Sequence, residues 1–148
     1  MNPPLARRQL LRAGLAAGTL AALPSARACE FYAAKLRITH PWTRASAPGA
    51  TTAMVCLRFD EVTHSDRLIG VESPVALSAE MGGLTLAGPV NLVIPADQLI
   101  TLSEAGPHIR LLGLRHALLV AREYPLTLVF ERSGSVQATL SVDYERFA

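Results

Sequence analysis

The apolar residues of this chain recur at every second position in short runs, and turn-forming residues separate the runs. Every second residue from 126 to 130 is Leu or Phe, and residues 135–142 repeat the same alternation. Ser133 and Gly134, which lie between these two runs, are typical of a hairpin turn. Because no segment after residue 30 has an apolar stripe with the 3.6-residue period of a helix, the pattern predicts strands throughout.

Composition and length are those of one folded domain. Half of the residues are hydrophobic and 18% are charged, which excludes a disordered chain. About 120 residues follow the N-terminal segment, enough for one hydrophobic core. We therefore predict a single all-β sandwich over residues 29–148. The eight predicted strands are 35–45, 51–59, 67–72, 89–94, 98–103, 108–114, 125–131 and 135–142.

Residues 1–28 have the layout of an export signal. Arg7 and Arg8 precede two leucines, an apolar run follows over 13–23, and residues 26–28 form a small-x-small cleavage site. The arginine pair resembles the twin-arginine export signal, and the apolar run is shorter than the roughly 20 residues that a spanning helix needs. We expect a cleavable signal peptide, a periplasmic protein and no transmembrane segment.

The only two cysteines, Cys29 and Cys56, have three possible fates. Acylation of Cys29 would anchor the protein to a membrane, a disulfide would suit an oxidising compartment, and both thiols could also stay free. Ala26 and Arg27 stand where lipoprotein signals usually carry a larger aliphatic and a small residue. We therefore favour ordinary cleavage, with membrane anchoring only if Cys29 is lipidated.

Charge and motifs exclude two broad classes of function. Four of the 14 basic residues lie in the signal, which leaves ten basic against 12 acidic residues, whereas nucleic-acid-binding domains are basic. The chain has no nucleophile elbow, phosphate-binding loop, dinucleotide fingerprint or zinc-protease motif. We therefore expect no nucleic-acid partner and no enzymatic activity.

From Trp42 onward the chain resembles the periplasmic copper chaperone family called PCu(A)C. The matching pieces occur in order at 41–45, 48–57, 66–74, 94–96, 106–114 and 125–134. This resemblance implies a cupredoxin-like Greek-key β-sandwich, in agreement with the strand pattern. It also implies a carrier that delivers Cu(I) to the assembly of cytochrome oxidase and works with copper-assembly proteins. The family holds Cu(I) with two histidines and two methionines, which are donors that suit a soft ion.

The ligand positions of the family are only partly retained. The family's H-x-M pair falls on His108-Ile109-Arg110, so the histidine is kept while the methionine is replaced by a permanent cation without a donor lone pair. The other methionine position is Leu86, which cannot bind a metal. The first histidine falls in 78–83, a stretch that resembles a loop and contains Met81 instead. The resemblance therefore implies a copper(I) site at His108 and Met81.

Two hypotheses remain open. The first is a copper chaperone-like protein, and the alternative is a family scaffold without metal that serves as a periplasmic protein-interaction module. Met54 and Cys56 point the same way on an apolar strand and are interpreted as core residues. The other histidines, His40, His64 and His116, are interpreted as surface residues.

Overall fold

Ten β-strands pair into one continuous array in the computed structural model, which describes residues 29–83 and 87–147. The signal predicted over 1–28 and the residue Leu86 lie outside the described residues. No helix occurs in the described part, and therefore no helical segment there could cross a bilayer. The strands are β1 Glu30–Tyr32, β2 Arg37–Arg44, β3 Thr52–Asp60, β4 Asp66–Glu72, β5 Ser78–Gly82, β6 Leu92–Ile94, β7 Ile100–Leu102, β8 His108–Leu112, β9 Glu123–Phe130 and β10 Gly134–Tyr144.

Strand β3 connects the two parts of the array because its two halves pair with different strands. Residues 52–55 pair with β8, and residues 57–59 pair with β7. The strand order is β5-β8-β3-β2-β10-β9-β4-β6, with β1 added on β2 and β7 on β3. The array curls around a single core, and the all-β fold predicted from the sequence is confirmed.

The core is built from the alternate residues of the long strands. Leu126 and Leu128 are fully buried, as the alternation in β9 predicts. Phe59 of β3 meets Phe130 of β9 edge to face across the core, with ring centroids 5.9 Å apart. Each such large apolar side chain contributes about 1.5–3 kcal/mol by leaving water. This apolar layer fixes the positions of β3 and β8 relative to each other.

A buried carboxylate closes the β9–β10 hairpin that Ser133 and Gly134 predict. Asp66, at the start of β4, accepts hydrogen bonds from the backbone N–H groups of Arg67 (2.8 Å), Arg132 (2.9 Å) and Ser133 (3.0 Å), and from the Ser133 hydroxyl (2.6 Å). Burial raises the pKa of Asp66, but these four hydrogen bonds outweigh it and hold the pKa below its ordinary value.

Two strands were not predicted. Glu30–Tyr32 is short, and Ser78–Gly82 ends in a glycine that a second glycine follows, a pattern interpreted as a loop. Ser78–Gly82 is extended because every one of its residues pairs with β8, from Ser78 opposite Leu112 to Gly82 opposite His108. Its strand character therefore comes from a partner about 30 residues away and not from local preference.

Candidate metal site

An open cleft of about 590 Å³ lies where β3 and β8 meet the end of β2 and the C-terminal residues. Its wall combines apolar side chains, among them Met54, Phe147 and several alanines, with ionisable groups. The chemistry-bearing side chains that line it are Arg44, Met54, Glu104, His108, Arg110 and Arg146. The cleft is lined by His108, the one histidine that the resemblance places at a ligand position.

The imidazole of His108 is held in one orientation at the wall of this cleft. The residue is only 8% exposed, and Nδ1 lies 2.9 Å from the carbonyl oxygen of Gly106. A carbonyl can only accept, so Nδ1 donates its proton. In the neutral ring Nε2 is then left with a free lone pair. A backbone carbonyl that fixes the tautomer in this way is a usual companion of a metal-binding histidine.

Two glycines, the last residue of β5 and the one after it, allow the His108 ring to lie close to the neighbouring strand. A Cβ on Gly82 would stand 2.8 Å from His108 Nε2 and 2.5 Å from Arg110 Cδ. A Cβ on Gly83 would overlap the Gly106 carbonyl oxygen, and Gly83 also has a φ of +71°, which favours glycine. The Gly82-Gly83 pair is therefore required by the close approach of β5 to the residues that orient His108.

Met81, the second predicted donor, faces the other side of the sheet. In an antiparallel pair, residues directly opposite each other point to the same face, and the face alternates along the strand. Gly82 is opposite His108, and Met81 is opposite Ile109. Met81 is 2% exposed and packs in the core with Ile109. Strand β5 does lie beside β8, as a site shared by Met81 and His108 requires. The register nevertheless does not bring the Met81 side chain to the face that carries His108.

Met54 lies on the His108 face, although its strand alternation was interpreted as core. Met54 is directly opposite Arg110 on β8, so its side chain points to the face shared by Arg110 and His108. It is half-buried and lines the same cleft as His108. Its neighbour Val55 faces the core instead. The interpretation of Met54 as a core residue was therefore wrong: Val55, Leu57 and Phe59 form the buried face of β3, and Met54 lies on the opposite face with Arg58 and Asp60.

The charge of Arg110 is paired on the side of β8 that faces away from β3. Its Nη1 lies 3.1 Å from Oε1 of Glu80, the residue directly opposite on β5. Because β5 and β3 flank β8 on its two sides, this ion pair draws the guanidinium towards β5. The guanidinium is thereby paired with a carboxylate on the β5 side of β8, although Arg110 still lines the cleft with Met54.

The C-terminal residues form one side of the cleft, and Arg44 holds them there. Its guanidinium pairs with Glu104 and donates from Nη1 to the Glu145 carbonyl at 3.2 Å. The same group lies 4.3 Å from the ring centroid of Phe147 and 5.2 Å from that of Tyr144, within cation–π range. The resemblance gave no indication of these contacts, because they join residues about 60 and 100 positions apart.

Neither cysteine is in a disulfide in the described structure. Cys56 is buried beside the cleft, and burial, followed by the Glu104 charge, raises its pKa to about 11 against a lowering effect of Arg44. It is therefore a protonated thiol at neutral pH. Cys29 lies against β10, with its sulfur 3.6 Å from the Ser141 hydroxyl. Strand β2 separates β10 from β3, which carries Cys56.

The remaining ionisable groups do not assemble a further metal site. Within residues 29–83 and 87–147, no group of three or more His, Cys, Asp and Glu side chains is arranged to hold a metal. His40 pairs with Asp143 at 2.7 Å, and His64 and His116 are exposed, as expected for surface residues. The cleft at His108 is therefore the candidate site that the described structure supports.

Comparisons with known proteins agree on one type of domain. A family model described as "Putative lipoprotein LpqE-like" matches residues 36–142. The copper-bound PCuAC domain from PmoF2 is 28% identical with a TM-score of 0.71, over 78% of this chain and 97% of that chain. The apo PCuAC domain from PmoF1 is 32% identical with a TM-score of 0.70, over 78% and 98%. No curated protein matches the chain in sequence.

A more distant solution structure supports the fold alone. The Cu(I) form of DR1885 from Deinococcus radiodurans is 22% identical with a TM-score of 0.58, over 70% of this chain and 75% of that chain. The family match, by contrast, spans most of this chain, and the 32% identical domain is covered almost entirely. The resemblance found in the sequence is thus confirmed, and this chain belongs to the LpqE-like family of PCuAC-type domains.

Proposed function

We propose that this protein handles copper as a chaperone of the PCuAC type and carries Cu(I) at His108. The observation that carries the proposal is the His108 imidazole, which lines an open cleft and donates from Nδ1 to the Gly106 carbonyl, so that the neutral ring keeps its lone pair on Nε2, an atom without a hydrogen bond to the described residues. Its relatives include a copper-bound domain with the same fold. Imidazole is a suitable donor for copper, and Cu(I) binding needs no change of oxidation state.

A site with few donors suits a carrier. The resemblance predicts that the family's four donors are reduced in this chain to His108 and Met81. The strand register directs the Met81 side chain into the core. Fewer donors bind Cu(I) less tightly and leave positions open for a partner's ligands. Transfer would then occur by stepwise ligand exchange, and the acceptor we propose is a copper-assembly protein of cytochrome oxidase.

Anaerobic competition for Cu(I) with bicinchoninate tests the proposal. We expect the wild-type protein to bind one Cu(I) and His108→Asn to lose at least about tenfold in affinity, since even changes behind a ligand cost 10–100-fold. His64→Asn, which alters an exposed histidine outside the cleft, is the matched control and should bind like the wild type. Equal binding by all three proteins, or none, would refute copper carriage at His108.

One observation favours a second function, that of a metal-free interaction module. Arg110, the residue at the family's methionine position, is engaged in an ion pair with Glu80. Capture of partners from a periplasmic extract with and without a Cu(I) chelator separates the two functions. Copper-dependent capture of an oxidase-assembly factor supports the chaperone, and capture that is unchanged by the chelator supports the module.

We also propose export to the periplasm, by the twin-arginine route that Arg7 and Arg8 suggest. The name of the matching family, which refers to a lipoprotein, supports a location outside the cytoplasm. Mass spectrometry of the exported protein tests this. An N-terminus at Cys29 confirms cleavage after residue 28, a diacylglyceryl adduct on Cys29 indicates membrane anchoring, and an uncleaved chain refutes the processing.

A further inference from the structure

We propose that the thioether of Met54, on β3, is the second Cu(I) donor of the His108 site. This inference rests on the proposed copper carriage and names a ligand at a position outside the family's motif. A single imidazole leaves Cu(I) short of donors, and a soft monovalent ion prefers sulfur for the next position. The question is therefore which sulfur of this chain faces the cleft.

The sequence limits the choice to few atoms. After residue 28 the chain has only two methionines, Met54 and Met81, and two cysteines, Cys29 and Cys56. Residues 84–86 are Leu, Thr and Leu, so that segment adds no sulfur. Cys29 lies against Ser141 of β10, which is two strands away from β3.

Strand register selects Met54 over Met81. Met54 is opposite Arg110, two residues along β8 from His108, so Met54 and His108 are diagonal neighbours on one face. Side chains in such a diagonal relation on adjacent strands are about 7–8 Å apart at their backbones, within reach for a methionine and a histidine. Met54 and His108 both line the cleft, whereas Met81 is turned into the core.

Two of the three arginines that line the cleft with Met54 are paired with carboxylates. Glu80 pairs with Arg110 on the far side of β8, and Glu104 pairs with Arg44, while Arg146 is the third. Cys56 is two residues from Met54 on the same strand, yet it is only 1% exposed and is not among the residues that line the cleft. A His108–Met54 pair binds Cu(I) through two neutral donors, without the loss of a proton. Methionine also resists the disulfide exchange that an oxidising compartment imposes on cysteine ligands.

The side chains of the wild-type protein can be observed directly. We would label the methionine methyl groups with ¹³C and titrate the full chain with Ag(I), a redox-stable substitute for Cu(I), and then with Cu(I) under anaerobic conditions. The Met54 methyl resonance should shift with saturation at one equivalent, while the Met81 methyl resonance stays unchanged. A shift of Met81 without a shift of Met54 would overturn the inference and restore the original pair.

Matched variants give the affinity. Met54→Leu and Met81→Leu remove one sulfur each at nearly constant volume, so either variant should keep the fold. In the bicinchoninate competition we expect Met54→Leu to weaken Cu(I) binding at least about tenfold and Met81→Leu to leave it unchanged. X-ray absorption of the Cu(I) protein should show a sulfur neighbour that disappears in Met54→Leu.

The outcomes separate this inference from the proposed function. If His108→Asn loses Cu(I) while Met54→Leu binds like the wild type, copper carriage stands and the assignment of Met54 is refuted. If the wild-type protein does not bind Cu(I) or Ag(I) at all, the proposed function fails, and this donor assignment fails with it.

Discussion

Replacing Gly83 by alanine tests how closely β5 approaches the residues that orient His108. Two costs are expected. The first is the left-handed backbone, φ +71°, which costs a residue with a Cβ about 1 kcal/mol. The second is overlap of the new Cβ with the Gly106 carbonyl oxygen, because a backbone atom cannot move aside as a flexible side chain can. Overpacking of this kind costs about 1–3 kcal/mol, so the total is about 2–4 kcal/mol.

Gly134→Ala is the matched control for the first cost. Gly134 has nearly the same φ, +74°, but an added Cβ there meets no atom within 4 Å. The unfolded-state effect of a glycine-to-alanine change is common to both variants and cancels in their difference. We therefore expect Gly83→Ala to unfold with a free energy about 1–3 kcal/mol lower than Gly134→Ala, or about 4–12 °C lower in Tm.

Urea unfolding, with a check that the m-value is unchanged, measures this difference. A second readout is the tautomer of His108, followed through the ring nitrogens by NMR. Displacement of the Gly106 carbonyl should weaken its hydrogen bond from Nδ1, so Gly83→Ala should lose the single tautomer of the wild type. If Gly83→Ala is no less stable than Gly134→Ala and His108 is unchanged, the close approach argued above is wrong.

Two further substitutions test the electrostatics of the fold and the cleft. Asp66→Asn should lower the free energy of unfolding by about 2–4 kcal/mol at pH 7, because an amide cannot accept all four hydrogen bonds. Since the folded-state pKa of Asp66 is lowered, the stabilisation by its carboxylate is present above the unfolded pKa and is lost as pH falls through the folded pKa. The difference in stability between wild type and variant should therefore narrow below about pH 4 in acid titrations followed by circular dichroism. An equal gap at all pH values would contradict this. Glu80→Gln should leave the Arg110 charge without its carboxylate partner and weaken Cu(I) binding about threefold to fivefold at low salt. High salt should screen this effect. A loss of affinity that does not depend on salt would show that the ion pair does not act by charge.

The strand pattern could be predicted from the sequence because its signal is local. Alternation in 125–131 and 135–142, with Ser133-Gly134 between them, identified the hairpin that Asp66 closes in the structure. The resemblance, read from short pieces in order, identified the family. By contrast, Ser78–Gly82 has too few apolar residues to indicate a strand, and its pairing with β8 supplies what the local sequence lacks.

The sequence alone limited the sulfur donors after residue 28 to two methionines and two cysteines, and the resemblance singled out His108 among the histidines. Only the tertiary structure decided which methionine faces that histidine. A strand alternates its faces at every residue, so a register between distant strands assigns one set of side chains to the core and the other to the surface. Local sequence does not indicate which distant strands pair or in which register, and so it could not show that Met81 lies opposite Ile109 in the core while Met54 lies opposite Arg110 on the cleft face.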